Sequence, residues 1–445
     1  MGRRMELRVA ASLYIVGTLI NVASGTLLQS NDAGLYALFF GRILFGIGVG
    51  FVMHGAPAYL AEMCPPHIRG AVVSAKETVI VSGIVVGYVV GNWRSKNNPL
   101  GSWVEIYALQ ILLQVPLWLL TIFYIPRSKR WLLLHGHREE AEESMRFIYV
   151  NHNHNSNKQN DENDDIHLAF LELAKQVEET KTAGSSLTNE ESSSISHLLF
   201  SSKEYRPALL ASMGLIVFQQ ISGQPTLLSY TTILFDAGGW GGDASVFVSL
   251  LMMAMSTSTV LFVDHVGRKP LLKLCCGVML SASILLGICF YNMNDIENND
   301  NNEELSSSTR LVVLIGACLY IGGYQIGFGP VTWCIVSEVF PLEIRGKAIA
   351  VGVELNYLLS FLVSFLLPMV QVSVGWSTCF GVFGCMLVIA YWFVDQCVPE
   401  TRGLTLEEIQ RKLSAAGTGG GNHSRASEDQ SEDNSPSETT RLISR

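Results

Sequence analysis

Glu62-Met63-Cys64-Pro65-Pro66-His67-Ile68-Arg69-Gly70 and Glu338-Val339-Phe340-Pro341-Leu342-Glu343-Ile344-Arg345-Gly346 spell one phrase, E-x-x-P-x-x-I-R-G, 276 positions apart (338 − 62 = 276). Each copy closes one long apolar run and opens the next, so each reads as a short charged hairpin between two apolar helices. Two further landmarks keep nearly the same spacing. Gly2-Arg3-Arg4 answers Gly267-Arg268-Lys269 at an offset of 265, and Pro126-Arg127-Ser128 answers Pro399-Glu400-Thr401 at an offset of 273. Three landmarks in the same order at similar offsets make an internal repeat. The chain reads as two related halves.

The 445 residues are 49% hydrophobic and only 16% charged, with a positive mean hydropathy. Soluble domains carry about a quarter charged residues. Here the apolar residues gather in runs of roughly 18 to 25, the length that crosses a hydrocarbon core of about 30 Å. Ten such spans can be drawn: Val9–Leu28, Leu35–Leu60, Val72–Gly91, Val104–Ile125, Ala208–Phe235, Ala244–Val263, Leu271–Tyr291, Leu311–Val336, Ala348–Val370 and Cys379–Val398. In lipid the backbone must satisfy its own hydrogen bonds, so the spans are expected to be helices. The short alternating segments of a membrane barrel are absent from the sequence. The fold class expected is an all-α polytopic membrane protein, with the lipid bilayer as its solvent.

The net charge of -9 resides in a few loops and the tail, so no nucleic-acid partner is expected. The nine cysteines are scattered, mostly inside apolar runs, without metal-ligand spacing. They read as small hydrophobic packers, and neither metal nor cofactor is expected. No cleavable leader is expected either, since Met1-Gly2-Arg3-Arg4 runs almost directly into a full-length span.

The organisation follows. Residues 1–131 form a first helical half of four spans, and residues 206–403 form a second half of six. Between them, residues 132–205 are too polar for a bilayer and read as a linker with short helices (Glu139–Val150 and Leu168–Glu179) around a disordered Asn/Asp-rich stretch, Asn151–Asp165. Residues 404–445 read as a disordered tail. Lys and Arg gather in the loops that hold the two hairpins, which places those loops and both termini in the cytoplasm. The Asn292–Thr309 loop then faces the other side. A six-plus-six repeat would need two helices upstream of residue 1, so the sequence reads as N-terminally truncated. The tail holds Glu438-Thr439-Thr440-Arg441-Leu442-Ile443, which has the form of an acidic dileucine-type sorting signal. Vacuolar or other endomembrane residence is the expectation, with the plasma membrane as the other choice.

These features resemble the sugar porter family of the major facilitator superfamily. Gly41-Arg42 opening a span, Pro57-x-x-x-Ala61-Glu62 ending it and Arg69-Gly70 beginning the next are similar to that family's first-half signatures. Pro126-Arg127-Ser128-Lys129-Arg130-Trp131-Leu132 resembles its P-x-S-P-R-W-L, with Lys129 where proline is usual. Gln219-Gln220-Ile221-Ser222-Gly223 resembles Q-Q-x-S-G, Asp264–Lys269 resembles D-x-x-G-R-R/K, and Pro399–Gly403 resembles P-E-T-K/R-G. Met53–Pro57, Lys76-Glu77 and Gln219–Pro225 look most like the plant vacuolar and plastidic hexose or xylose–proton symporter-like branch.

The resemblance implies a monosaccharide substrate and protons as partners. A sugar is a ring of hydroxyls with apolar C–H faces, so its site needs carboxamides and an aromatic face. Gln219 and Gln220 stand inside a long apolar span, ahead of the helix-loosening Gly223 and Pro225, and serve either sugar or interhelical hydrogen bonds. Trp333 follows the helix-breaking Gly327-Phe328-Gly329-Pro330, and in the family the matching indole floors the sugar site. Asn356 and Tyr357 fall where the family carries a sugar-binding amide and a tryptophan. Glu77 falls where many relatives have a sugar-binding glutamine; a simple pair with Lys76 is the alternative. Arg42, inside an apolar span, needs a carboxylate or carbonyl partner; the family supplies a first-helix aspartate for proton coupling, which the four-span half lacks. His54 reads as a hydrogen-bonded packer. Glu62, Arg69, Asp264, Arg268, Glu338 and Arg345 are implied to form the cytoplasmic gate.

The function expected is monosaccharide transport by alternating access, proton-coupled in the full-length form. As the chain stands, without that aspartate, the expectation is sugar binding without proton coupling. A sugar sensor that binds without turnover and an inactive fragment are the rivals. No nucleophile–base or metal-ligand constellation points to an enzyme, so no catalytic residue is expected.

Overall fold

The protein is described by a computed structural model over residues 2–27, 32–64, 69–97, 102–149, 206–223, 241–297, 307–340 and 342–402, with 170, 171, 174, 175, 178 and 408 besides. Every regular element among these residues is a helix. In chain order they are α1 (Arg3–Leu27), α2 (Asp32–Met63), α3 (Arg69–Asn97), α4 (Ser102–Phe123), α5 (Lys129–Leu134), α6 (Arg138–Tyr149), α7 (Arg206–Ile221), α8 (Gly241–Val266), α9 (Arg268–Glu297), α10 (Ser307–Ile326), α11 (Pro330–Val339) and α12 (Leu342–Cys397).

Seven stretches of described helix are long and apolar enough to cross a membrane: Arg3–Gly25, Asp32–Pro57, Trp103–Phe123, Ala244–Val263, Arg268–Asn292, Ser308–Val339 and Ile344–Cys397. The last, of 54 residues, is long enough for two crossings at 1.5 Å per residue. It breaks at Gly375, whose φ of 78° only glycine adopts readily. The two expected spans Ala348–Val370 and Cys379–Val398 therefore lie on either side of a one-residue kink. α3 carries the expected span Val72–Gly91, and α7 carries the first part of Ala208–Phe235, whose remainder is outside the described residues. The expected span Leu311–Val336 is divided into α10 and α11 by the Gly327-Phe328-Gly329 turn.

Lipid explains the surface. Leu112, Leu113, Phe123, Val79, Phe361 and Val372 are exposed, as outward side chains in hydrocarbon should be. Between helices, small residues and polar contacts replace the hydrophobic effect. α1 and α2 approach so closely that a Cβ on Gly17 would meet the Gly41 carbonyl at 2.7 Å. Polar groups bind α1 to α4: Gln114 Nε2 donates to Thr18 Oγ1 at 3.0 Å, and Trp118 Nε1 donates to Ser12 Oγ at 3.0 Å. Arg8 donates to the carbonyls of Thr121 and Ile122 at 3.2 and 2.8 Å. A cation on the free carbonyls at a helix C-terminus also meets the negative end of its dipole.

The second half holds the larger core, in which α7, α9, α10, α11 and α12 bury Tyr320, Phe328, Phe340, Phe380 and Leu272. The halves meet along two seams. Val81 of α3 packs with Val248 and Met252 of α8, where Thr78 Oγ1 lies 3.1 Å from Ser256 Oγ. Met53 of α2 packs against a cluster of Ile216, Trp333, Ile349 and Val353. The linker helices form their own small core of Leu132, Leu133, Ala141, Met145, Phe170 and Ala174. Ser128 caps α5, accepting from Trp131 N at 3.4 Å; Lys129 thus occupies the first helical position, where proline also fits because that N–H has no intrahelical partner. The Asn151–Asp165 stretch and the tail lie outside the described residues.

Candidate functional site

Polar groups converge where α7 ends, α10 breaks and α12 passes between them. α7 stops at Ser222-Gly223, with Gly223 at a φ of 77°. A Cβ there would also collide with the Phe383 ring, so this stop requires glycine. Just before it, Gln219 and Gln220 are 3% and 5% exposed.

The two glutamines are used differently. Gln219 Nε2 donates to the Phe328 carbonyl at 2.6 Å, an oxygen in the turn that separates α10 from α11. Gln220 Nε2 donates to Asn356 Oδ1 on α12 at 2.5 Å. Tyr320 of α10 donates to the Ser222 carbonyl at 2.5 Å, tying off the end of α7, and Tyr324 lies beside the Gln219 amide. The Phe328 and Ser222 carbonyls, at helix ends inside the bundle, thus each find a side-chain donor, as a low-dielectric interior demands.

What is left over decides the chemistry. Gln219 Oε1, Gln220 Oε1, Gln325 Oε1 and Thr332 Oγ1 are buried, and none has a hydrogen-bond partner among the described residues. A buried acceptor without a donor costs about 1–3 kcal/mol. These three amide oxygens and one hydroxyl can each accept a hydrogen bond from a ligand O–H group that reaches it. Trp333 at the start of α11, 9% exposed, supplies an aromatic face.

The first half closes the region through α3. Lys76 Nζ stands 4.5 Å from the centroid of the Trp333 ring, in cation–π contact. Glu77 interacts electrostatically with Lys76, Tyr324 and Tyr357. Lys76 and Glu77 of α3 thus face the indole and two tyrosines from the other half. Tyr357 itself is 40% exposed and interacts with Tyr14 of α1.

Arg42 is exposed on α2, and its guanidinium lies 4.7 Å from the ring centroid of Tyr107 on α4. The sequence called for a carboxylate or carbonyl partner; the structure gives it an aromatic face, which also stabilises a cation.

At the hairpin end, Glu338 is the hub. Its Oε1 accepts from Arg268 Nη2 at 3.1 Å and its Oε2 from Thr401 Oγ1 at 2.6 Å. Glu400 caps α9, its two oxygens accepting from the backbone N–H groups of Arg268 and Lys269, each at 3.0 Å. The G-R-K and P-E-T landmarks are thereby one structure, a carboxylate seated on a positive helix end. Arg345 donates to the Phe340 carbonyl at 3.2 and 3.0 Å, closing the second hairpin on itself. The side chains of Glu62, Arg69 and Asp264 lie outside the described residues.

Sequence reasoning passed over Tyr320, Tyr324, Gln325 and Thr332, and it set His54 aside. The tyrosines sit at four-residue spacing with Gln325 next to them, a polar stripe inside an otherwise apolar span that could have been noticed. His54 acquires meaning only from what faces it across the fold.

Residues 1–413 match the family described as "Sugar (and other) transporter". The chain is 33% identical over 426 residues to the D-xylose-proton symporter-like 2 protein of Arabidopsis thaliana, covering 93% of this chain and 76% of that one. It is 32% identical to the chloroplastic D-xylose-proton symporter-like 3 protein of the same plant, covering 93% and 70%. Among solved structures it resembles the major facilitator proton:xylose symporter XylE bound to 6-bromo-6-deoxy-D-glucose, with a TM-score of 0.72, 26% identity and coverage of 92% and 83%.

Proposed function

The chain belongs to the sugar transporter family, and from that premise we propose that it carries a hexose or pentose across a membrane by alternating access, in symport with protons. It is a multi-pass membrane protein of the major facilitator fold. Its relatives are transporters, not enzymes, and we assign it no catalytic residue.

The observation that carries the reading is the set of buried oxygens on Gln219, Gln220, Gln325 and Thr332 that have no donor among the described residues. Sugar hydroxyls are donors of the right kind, and each bond made there removes a desolvation cost already present. We assign Gln219, Gln220 and Asn356 to the hydroxyls, Trp333 to the apolar ring face, and Glu77 and Tyr357 to the wall nearest the first half. Arg42 is assigned to proton coupling. Glu62, Arg69, Asp264, Arg268, Glu338 and Arg345 are assigned to the gate at the hairpin end.

The division into a first half (1–131), a linker (132–205), a second half (206–403) and a tail (404–445) belongs to the same proposal. So do cytoplasmic termini and an endomembrane address read from Leu442-Ile443, which a fluorescent fusion carrying Leu442→Ala and Ile443→Ala tests.

The transport reading is tested by reconstituting the full chain in proteoliposomes and following labelled xylose and glucose with and without an inward proton gradient. Accumulation above equilibrium that collapses with a protonophore supports it. Saturable sugar binding with no uptake would replace the carrier by a sensor.

A further inference from the structure

Glu6 and His54 have no part in the sugar region, yet they hold a close contact between ionisable groups of two first-half helices. His54 Nδ1 lies 2.5 Å from Glu6 Oε1, and its Nε2 lies 3.3 Å from the carbonyl oxygen of Gly346. Glu6 is on α1, His54 on α2, and Gly346 in the opening turns of α12. One imidazole therefore joins two helices of the first half to the repeated hairpin of the second.

The donors can be counted. A backbone carbonyl only accepts, so the bond to Gly346 fixes a hydrogen on Nε2. In a neutral ring Nδ1 is then a lone pair. An ionised carboxylate is likewise only an acceptor. Two acceptors at 2.5 Å repel, so this geometry requires a proton between Oε1 and Nδ1. The proton count is the same whether it is drawn as a carboxylic acid donating to imidazole or as imidazolium donating to carboxylate.

Resting on the reading of a proton-coupled carrier, we propose that Glu6 and His54 together form a proton-binding site of the transport cycle, and that its proton fastens the hairpin ends of the two halves. Losing the proton leaves the ring with one hydrogen for two acceptors. If it turns to Nδ1, Glu6 is satisfied and Nε2 faces the Gly346 carbonyl with a lone pair. If it stays on Nε2, the carboxylate and Nδ1 repel. Either way one contact is lost, and separation of the halves at this end becomes easier. With the hairpins in the cytoplasm, the proton leaves before the sugar can.

The surrounding charges fit this assignment. Arg3 Nη1 lies 3.4 Å from Glu6 Oε2, and Arg3 Nη2 would lie 3.1 Å from a Cβ on Gly346, so this cation also spans the two halves. A Cβ on Gly55 would sit 3.0 Å from Glu6 Cδ, so the glycine leaves room for the carboxyl group. Among the described residues, the other charged and titratable groups near these helix ends have partners of their own or face outward. Arg4 and Arg8 donate to carbonyls of α4, and Tyr59 donates to the Pro126 carbonyl. Arg345 bonds Phe340, Glu338 bonds Arg268 and Thr401, and Lys347 is exposed.

The test is sugar exchange by the full chain in proteoliposomes at matched inner and outer pH, which removes the gradient and leaves the gate. Wild type should exchange about tenfold faster at pH near 8 than near 5.5, the rate equivalent of one hydrogen bond. Glu6→Gln supplies an amide N–H to Nδ1 at every pH and keeps Nε2–H on Gly346, so its exchange should be slow and flat. His54→Leu has no fastening and should be fast and flat. Both variants keeping the wild-type slope, or both moving in one direction, would overturn the site. A second measurement needs no transport: hydrogen–deuterium exchange of peptides covering residues 342–350, referenced to the intrinsic pH dependence of exchange. Protection that rises in acid supports the site, and protection independent of pH overturns it. Failure of wild type to move sugar, with acid-dependent protection intact, would remove the carrier reading and spare the proton site.

Discussion

The Gln220 amide gives its hydrogen to Asn356 Oδ1 at 2.5 Å and keeps its own oxygen buried, with no hydrogen-bond partner among the described residues. α7 and α12 are thus joined through half of one carboxamide, and the other half is free for a ligand. Gln220→Ala should raise the sugar dissociation constant about tenfold, the cost of one lost hydrogen bond with its partner left unsatisfied. Asn356→Ala should cost less, because Gln220 Nε2 can turn to the sugar. Equilibrium binding by the purified variants decides, and equal affinities for both and wild type would take the pair out of the site.

Lys76 occupies the Trp333 face that a sugar ring would use. Displacing it costs about 0.5–2 kcal/mol of cation–π energy. Lys76→Met should therefore tighten sugar binding by about two- to thirtyfold, read by titrating tryptophan fluorescence. A tenfold weakening would instead make the ammonium a direct sugar ligand.

Gly223 combines a φ of 77° with a space already filled by Phe383. Gly223→Ala should destabilise the protein by about 1–3 kcal/mol through overpacking and left-handed strain. Gly223→Ala with Phe383→Leu should recover part of that loss. Thermal unfolding in detergent measures both, and an unchanged Tm for the single variant would count against the described end of α7.

Glu338 is 20% exposed and bonds Arg268 and Thr401 at once. Replacing it with glutamine should cost about 1–3 kcal/mol and loosen the hairpin end, raising proteolytic cleavage there severalfold. Glu400→Gln should cost less, about 0.5–2 kcal/mol, because a neutral amide still accepts one of the two α9 N–H bonds. The opposite order would mean that the cap, not the ion pair, holds this end.

Much of this was legible in the residues. The doubled phrase announced two halves, apolar run lengths announced the crossings, and Gly327–Pro330 announced the break between α10 and α11. Of the glutamines and asparagine singled out, Gln220 and Asn356 are in direct contact, and Trp333 packs with Ile216 and Val353 of the same two helices. The rest depends on relations that no run or spacing encodes. Lys76 reaches Trp333 across 257 positions (333 − 76 = 257), and Tyr107 meets Arg42 from another helix. His54 looked inert because a lone imidazole in an apolar span has no readable role until Glu6 and Gly346 stand beside it. Helix bounds misled too: one glycine, Gly375, ends a crossing where a loop of several residues was drawn.

The duplicated phrase also invites a question of symmetry. Shifting by its own offset of 276, His54 maps to Pro330 (54 + 276 = 330), and Gly346 maps to Gly70 (346 − 276 = 70). Proline has neither an imidazole nor a backbone hydrogen to offer a glycine carbonyl. The first half contributes an imidazole to the second and receives none in return. What began as a repeat has become directional at this contact. A carrier fastened in this way has one exchangeable proton per molecule at that contact rather than a symmetric pair, which sets a stoichiometric ceiling of one at that position.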